Sequence, residues 1–169
     1  GSMDWFPNIE GIKWFLNKVW VLIKAKTENL NLELAGRNMP DWLYDIKDER
    51  IKICGEVDNA FDFMQSMQLM IVPLLSGSGV RIKIIEGMAA GNVIITTSVG
   101  AEGLGCIDKK NILIADTPEC FAECIFWCVN NKNKLKEISD NARDYAISNF
   151  SVRAVANNIN SFYDELFAY

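Results

Sequence analysis

The sequence has 169 residues, half of them apolar and 23% charged, a balance that suits one folded domain and argues against disorder. A net charge of −5 with no clustering of Lys and Arg speaks against a nucleic-acid-binding face. Histidine is absent, which removes Ser-His-Asp and Cys-His pairs, the commonest general base and every His-bearing zinc site.

In chain order, Pro7 suits the first turn of a helix. Ile12, Phe15, Leu16, Val19, Leu22 and Ile23 then repeat at helical spacing to about Lys26. A short strand over residues 31–36 ends in a glycine turn, a brief helix comes next over 41–46, and residues 51–55 read as a second strand. Asp58 stands where it can cap a helix over 60–67. The continuous apolar run 69–74 is expected of a strand covered on both faces. A glycine-rich turn, Ser76-Gly77-Ser78-Gly79, leads into a helix over 80–90 that Gly91 closes. Residues 93–97 and 112–115 complete the strands. Pro118 opens a helical tail, broken near Asn131 and again at Phe150-Ser151, where Ser151 caps a last helix. Strands alternating with helices imply βαβ units, so the expected fold is α/β, a Rossmann-like parallel sheet with helices on both faces. Ligands of such sheets bind beyond the carboxyl ends of the strands, which directs attention to the loops after Gly36, Gly55, Leu74 and Thr97.

Cys120, Cys124 and Cys128 recur every four residues in an apolar segment. They read as small buried hydrophobes, because a thiolate metal site there would lack a fourth ligand. Five cysteines, an odd number with no signal peptide, point to reduced thiols in a cytoplasmic setting. No apolar run reaches the roughly 20 residues that span a bilayer. Among the tryptophans, Trp20 falls on the apolar face of the first helix, and Trp42 is expected to be the exposed one.

The stretch from Pro73 to Gly91 carries the chemistry: a buried strand, a glycine turn and a helix start. Free N–H groups and the positive end of the helix dipole make such a junction an anion site. Arg81 and Lys83 stand in or beside the first turn, where the dipole disfavours cations unless an anion such as pyrophosphate reverses the penalty. The alternative is that both side chains simply reach solvent. Glu86 lies in an apolar setting. Either it pairs with Lys83 three residues earlier, or its two oxygens accept from the cis-diol of a ribose.

Three segments, PLLSGSGVRIK (73–83), EGMAAG (86–91) and TSVGAEGL (97–104), resemble the donor-domain signature of retaining GT-B glycosyltransferases, in particular the family 4-like, group 1 enzymes of bacterial polysaccharide synthesis. Trp5-Phe6-Pro7-Asn8, Ala35-Gly36-Arg37, Gly55-Glu56-Val57-Asp58 and Asn149-Phe150-Ser151 resemble it too, in the same order. The resemblance implies that residues 1–169 form the nucleotide-sugar donor domain, with the helical tail 118–169 packing on it. The acceptor domain would precede residue 1. It further implies a donor diphosphate held by Gly77, Ser78, Gly79, Val80, Arg81 and Lys83, a ribose held by Glu86, and a nucleobase beside Glu56 and Val57. Two departures stand out: Ser78 occupies the position of the family's first Glu, and the segment after Gly1 lacks the family's phosphate-clamping Arg and Lys. Arg81 and Lys83 are the candidates to replace them.

The resemblance also implies an activity, the retaining transfer of a hexosyl group from a nucleotide-diphosphate sugar to a glycan or lipid-linked acceptor. Neither cofactor nor metal is expected, nucleic acid is not an expected partner, and no residue of this chain is assigned as catalytic. The setting would be cytoplasmic, with peripheral attachment at the inner membrane face open to the full-length enzyme. Alone, these residues would bind nucleotide weakly and transfer nothing. The competing expectation is a non-catalytic nucleotide-binding or interaction module of the same fold.

Overall fold

The computed structural model describes residues 1–167. Helix α1 (Phe6–Trp14) runs through a π-helical turn (Phe15–Val19) into α2 (Trp20–Lys26). Then come β1 (Leu32–Ala35), α3 (Asp41–Tyr44), β2 (Ile51–Gly55), α4 (Ala60–Gln65) and β3 (Leu69–Val72). Beyond them lie α5 (Ile82–Ala90), β4 (Val93–Thr96), α6 (Ser98–Ala101), β5 (Leu113–Ile114), α7 (Pro118–Asn130), α8 (Lys132–Phe150) and α9 (Val152–Phe167).

Every strand pair is parallel, as the alternating elements require. The ladders form two sheets, however: β1-β2, with Leu32 opposite Ile51, and β3-β4-β5, with Leu69 opposite Val93 and Ile95 opposite Leu113. Strand β4 is wholly buried, and its side chains alternate between two cores. Val93 and Ile95 pack with Phe15, Val19, Trp20 and Ile23 of the first helix and with Phe121 and Ile125 of α7. Ile94 packs on the other face, with Ile84 and Met88 of α5 and with Ala142 and Ala146 of α8. Helices therefore cover both faces. Gly87 lets α5 approach that sheet closely, since a Cβ there would lie 2.5 Å from Met70 Sδ and 2.9 Å from Ile94 Cδ1.

Local departures have local causes. Asn59, one residue beyond Asp58, caps α4 by accepting from the amides of Phe61 and Asp62 at 2.9 and 3.3 Å. In the π turn the Trp20 amide reaches back five residues to Phe15 O, so Phe15, Val19 and Trp20 are all buried on one helix. Within the tail, α7 and α8 each bury residues, Phe121 and Ala142 among them, whereas none of the described residues of α9 is buried, and residues 168–169 lie outside the described ones. Cys128 is buried and Cys124 half-buried, whereas Cys120 is exposed, so the cysteine stripe is only partly core. Trp20 is buried, in keeping with its place on the apolar face, but Trp42 is half-buried beneath Lys13, and Trp5 and Trp127 are the exposed ones. No helix among the described residues is long and apolar enough to cross a membrane.

Candidate functional site

The loops following β1, β2 and β3 converge on the N-terminal end of α1 and the first half of α5. Their meeting place is the mouth of a cavity of about 620 Å³, lined there by Arg37, Glu56, Val57, Asn8, Lys83 and Glu86. The structure thus brings together the expected nucleobase-side pair, the expected ribose carboxylate and one of the two expected phosphate cations. Gly77, Ser78, Gly79, Val80 and Arg81 do not line this cavity. Residues 77–80 form an exposed bend immediately before α5.

That bend is shaped by two glycines with positive φ, +112° at Gly77 and +86° at Gly79, and a Cβ on Gly79 would meet nothing within 4 Å. Helix α5 starts at Ile82, two residues later than the sequence suggests, because Arg81 has the non-helical torsions φ −86° and ψ 75°. Among the described residues, no backbone amide from Gly77 to Arg81 donates to another backbone carbonyl or to a side chain. Their donors are free at the positive end of a nine-residue helix.

Arg81 behaves differently from the expectation that its side chain meets the ligand. It is 4% exposed, and its Nη1 donates to Ser78 O at 2.5 Å and Gly79 O at 2.7 Å. The guanidinium is drawn inward because those two carbonyls point under the bend. It sits 5.8 Å from the Trp5 ring centroid, and its Nε and Nη2 have no partner. Arg81 therefore braces the bend from beneath.

Of the two, Lys83 is the cation that reaches the cavity. Its Nζ donates to Asn8 Oδ1 and lies 5.7 Å from the Trp5 ring centroid. Asn8 is held in turn by an Nδ2 bond of 2.7 Å to Ser2 O. Burial, and then the nearby Arg81 charge, pull the Lys83 ammonium down to about 8. The Lys83–Glu86 ion pair does not form. Neither Arg81, Lys83 nor Glu86 belongs to an ion pair among the described residues, and Glu86 is exposed at the cavity mouth. Two desolvated cations side by side without a carboxylate are unfavourable unless something anionic joins them.

Two threonines tie the end of β4 to β3 and to the loop beyond it. Thr96 Oγ1 donates to Val72 O at 2.6 Å. Thr97 Oγ1 donates to Leu74 O while accepting from the Gly100 amide at 3.1 Å, so one hydroxyl ties the end of β4 to the loop leading to the bend and caps α6. Sequence reasoning misses Asn8 and Trp5 as contributors, although both belong to the Trp5–Asn8 segment that carries part of the family resemblance. Only their contact with Lys83 across the fold reveals the part they play.

A parallel α/β domain with an anion-ready bend before a helix, and a carboxylate one turn into it, has the Rossmann-like fold seen in one half of GT-B glycosyltransferases. The family model described as glycosyl transferases group 1 matches residues 1–131, and the chain belongs to that family. It is 26% identical over 168 residues to an uncharacterized 44.6 kDa protein of the Klebsiella pneumoniae cps region, covering 94% of this chain and 43% of that protein. It is 30% identical over 156 residues to an uncharacterized glycosyltransferase of Methanocaldococcus jannaschii, covering 86% of this chain and 44% of that one. The chain thus spans less than half the length of these relatives. In fold it is similar to Anabaena HepE, whose crystal structure is in complex with UDP-glucose, with a TM-score of 0.73 at 16% identity over 88% of this chain and 44% of that one.

Proposed function

We propose that this chain is the donor domain of a retaining glycosyltransferase and that its cavity mouth takes a nucleoside-diphosphate sugar. What carries the reading is that buried Arg81 and half-buried Lys83, neither in an ion pair among the described residues, stand beside free amides at residues 77–81. The diphosphate lies between the bend and Lys83, the ribose hydroxyls donate to Glu86, and the base rests along Glu56 and Val57. The UDP-glucose complex of HepE supports a nucleotide sugar as the ligand class. The retaining outcome and a glycan or lipid-linked acceptor rest on resemblance to the family.

As the glycosidic bond breaks, negative charge grows on the departing diphosphate. Donors already aimed there stabilise the transition state more than the ground state. In this reading Lys83 and the bend amides supply that stabilisation without a metal ion, and Arg81 holds the bend in place.

The ribose contact gives a clean test. In the full-length enzyme Glu86→Gln lowers affinity for a ribonucleoside diphosphate and leaves affinity for its 2′-deoxy analogue much less affected, as read by calorimetry with uridine and guanosine nucleotides. Equal losses for both sugars would remove Glu86 from the ribose.

A further inference from the structure

We propose that the groove between the first helix and residues 42–48 is a second ligand site, and that it takes an acidic saccharide, a sugar ring carrying a carboxylate. The groove holds a cavity of about 480 Å³, within the roughly 300–1,000 Å³ of small-molecule sites. It is separate from the candidate donor site. Ile51, at the start of β2, lines the groove, whereas Glu56 and Val57 stand past the opposite end of that strand. Neither these two nor Asn8, Lys83 or Glu86 lines it.

Two walls meet here. Lys13, Leu16, Asn17, Trp20 and Lys24 bring one side of the first helix to the groove. The π-helical turn lies within this stretch, and such turns recur at functional sites. Trp42, Ile46, Lys47 and Asp48 form the opposite wall. Asp48 ties the walls together: it pairs with Lys24 at 2.8 Å and accepts from Trp20 Nε1 at 2.9 Å. On its own segment it accepts from the Arg50 amide at 3.2 Å. The bonds from Lys24 and Trp20 hold the Asp48 carboxyl well below the usual carboxylate range, so the tie persists through neutral pH. The groove therefore keeps its shape without a ligand.

The lining selects the ligand. Three lysines face one carboxylate, a local excess of positive charge in a chain whose net charge is −5. Asp48 answers Lys24, but Lys13 and Lys47 belong to no ion pair among the described residues. Lys13 Nζ stands instead 5.4 Å from the centroid of the half-buried Trp42 ring. Leu16, Ile46 and Ile51, all half-buried, supply an apolar floor. A sugar ring has the same two-sided character: its C–H face suits the floor and the open part of the indole, and its hydroxyls suit the exposed Asn17 amide. A carboxylate on that ring gives Lys13 and Lys47 the counter-charge they lack. A flat aromatic anion fits less well, since Lys13 already occupies the face of Trp42 on which it would stack.

Nitrogen-15 spectra of the protein titrated with sodium glucuronate test this site apart from the donor site. The Trp42 indole N–H and the amides of Lys13, Asn17 and Lys47 shift saturably with one dissociation constant, on the order of millimolar. Glu56, Val57 and Gly79 stay unmoved. Glucose, which lacks the charge, and acetate, which lacks the ring, each bind about tenfold more weakly or worse. Lys47→Glu, at an exposed position, keeps the wild-type spectrum elsewhere and weakens glucuronate by about tenfold. Three results would overturn the proposal: an unmoved Trp42 indole, an equal response to glucose or acetate, or wild-type glucuronate affinity in Lys47→Glu. Sedimentation with phosphatidylglycerol vesicles, lost in Lys47→Glu and unaccompanied by any glucuronate response, would overturn it too and assign the lysines to a lipid surface.

Discussion

Replacing Lys83 with Met removes the charge that this fold holds at a cost, and the size of the effect is set by the site. The Lys83 ammonium is pulled from 10.5 to about 8, chiefly by burial and then by Arg81. At ~1.4 kcal/mol per unit, and discounted for the part of the side chain that water still reaches, this amounts to roughly 1–3 kcal/mol against the folded state. The folded-state pKa lies below the unfolded one, so between pH 8 and 10.5 the unfolded chain holds the extra proton and unfolding becomes less favourable as pH rises. Below pH 8 the lysine is charged in both states and the full cost is present. Burial raises the thiols of Cys106 and Cys128 to about 11 and 12, which gives the opposite slope above pH 9, so the two proteins must be compared by difference. Urea unfolding at pH steps from 7 to 10.5 supplies that difference. Lys83→Met is more stable at pH 7, and its advantage shrinks to nothing by pH 10.5. A difference that does not change with pH would refute the desolvated-cation account. A nucleoside diphosphate reverses the shift by returning a counter-charge, so its binding at pH 8–9 takes up a proton, seen as a buffer-dependent calorimetric enthalpy.

Arg81→Lys keeps the charge but loses the planar guanidinium whose Nη1 donates to both the Ser78 and Gly79 carbonyls, and weakens nucleoside diphosphate binding by about tenfold through a loosened bend. Wild-type affinity by calorimetry would deny Arg81 its bracing part. Gly87→Ala forces a methyl against Met70 Sδ and Ile94 Cδ1 and costs about 1–3 kcal/mol in urea unfolding. An unchanged midpoint would mean the helix shifts freely. Thr97→Val leaves Leu74 O and the Gly100 amide without the hydroxyl and lowers stability by about 1–2 kcal/mol, with faster exchange at the Gly100 amide.

Much of this fold is written locally. Strand β2 occupies the residues its apolar pattern marks, and Gly91 closes α5 with φ +89° as a glycine after a helical run should. Ser151 caps α9 by accepting from the Ala154 amide at 3.2 Å. What the pattern could not show depends on contacts between distant segments. The π turn is one such feature, because periodicity alone averages over a single wider turn. The inward rotation of Arg81 is another: a cation in an exposed glycine loop reads as a ligand contact until the carbonyls of Ser78 and Gly79 are seen beneath it. In the site, Lys83, Glu86, Glu56 and Val57 were legible from their motifs, and they share one cavity mouth. Asn8 was not, because its bond to Lys83 spans 75 positions. The separation of the two sheets was equally hidden, since strand pairing is a tertiary choice.

In the proposed site the amides of the bend before α5 receive a diphosphate. Nitrogen-15 amide spectra recorded while uridine or guanosine diphosphate is titrated into the protein read this directly. Gly79, Val80 and Arg81 show saturable shifts with one dissociation constant, accompanied by Glu56 and Val57. Saturable shifts confined to other surfaces, with these five amides unmoved, would contradict it.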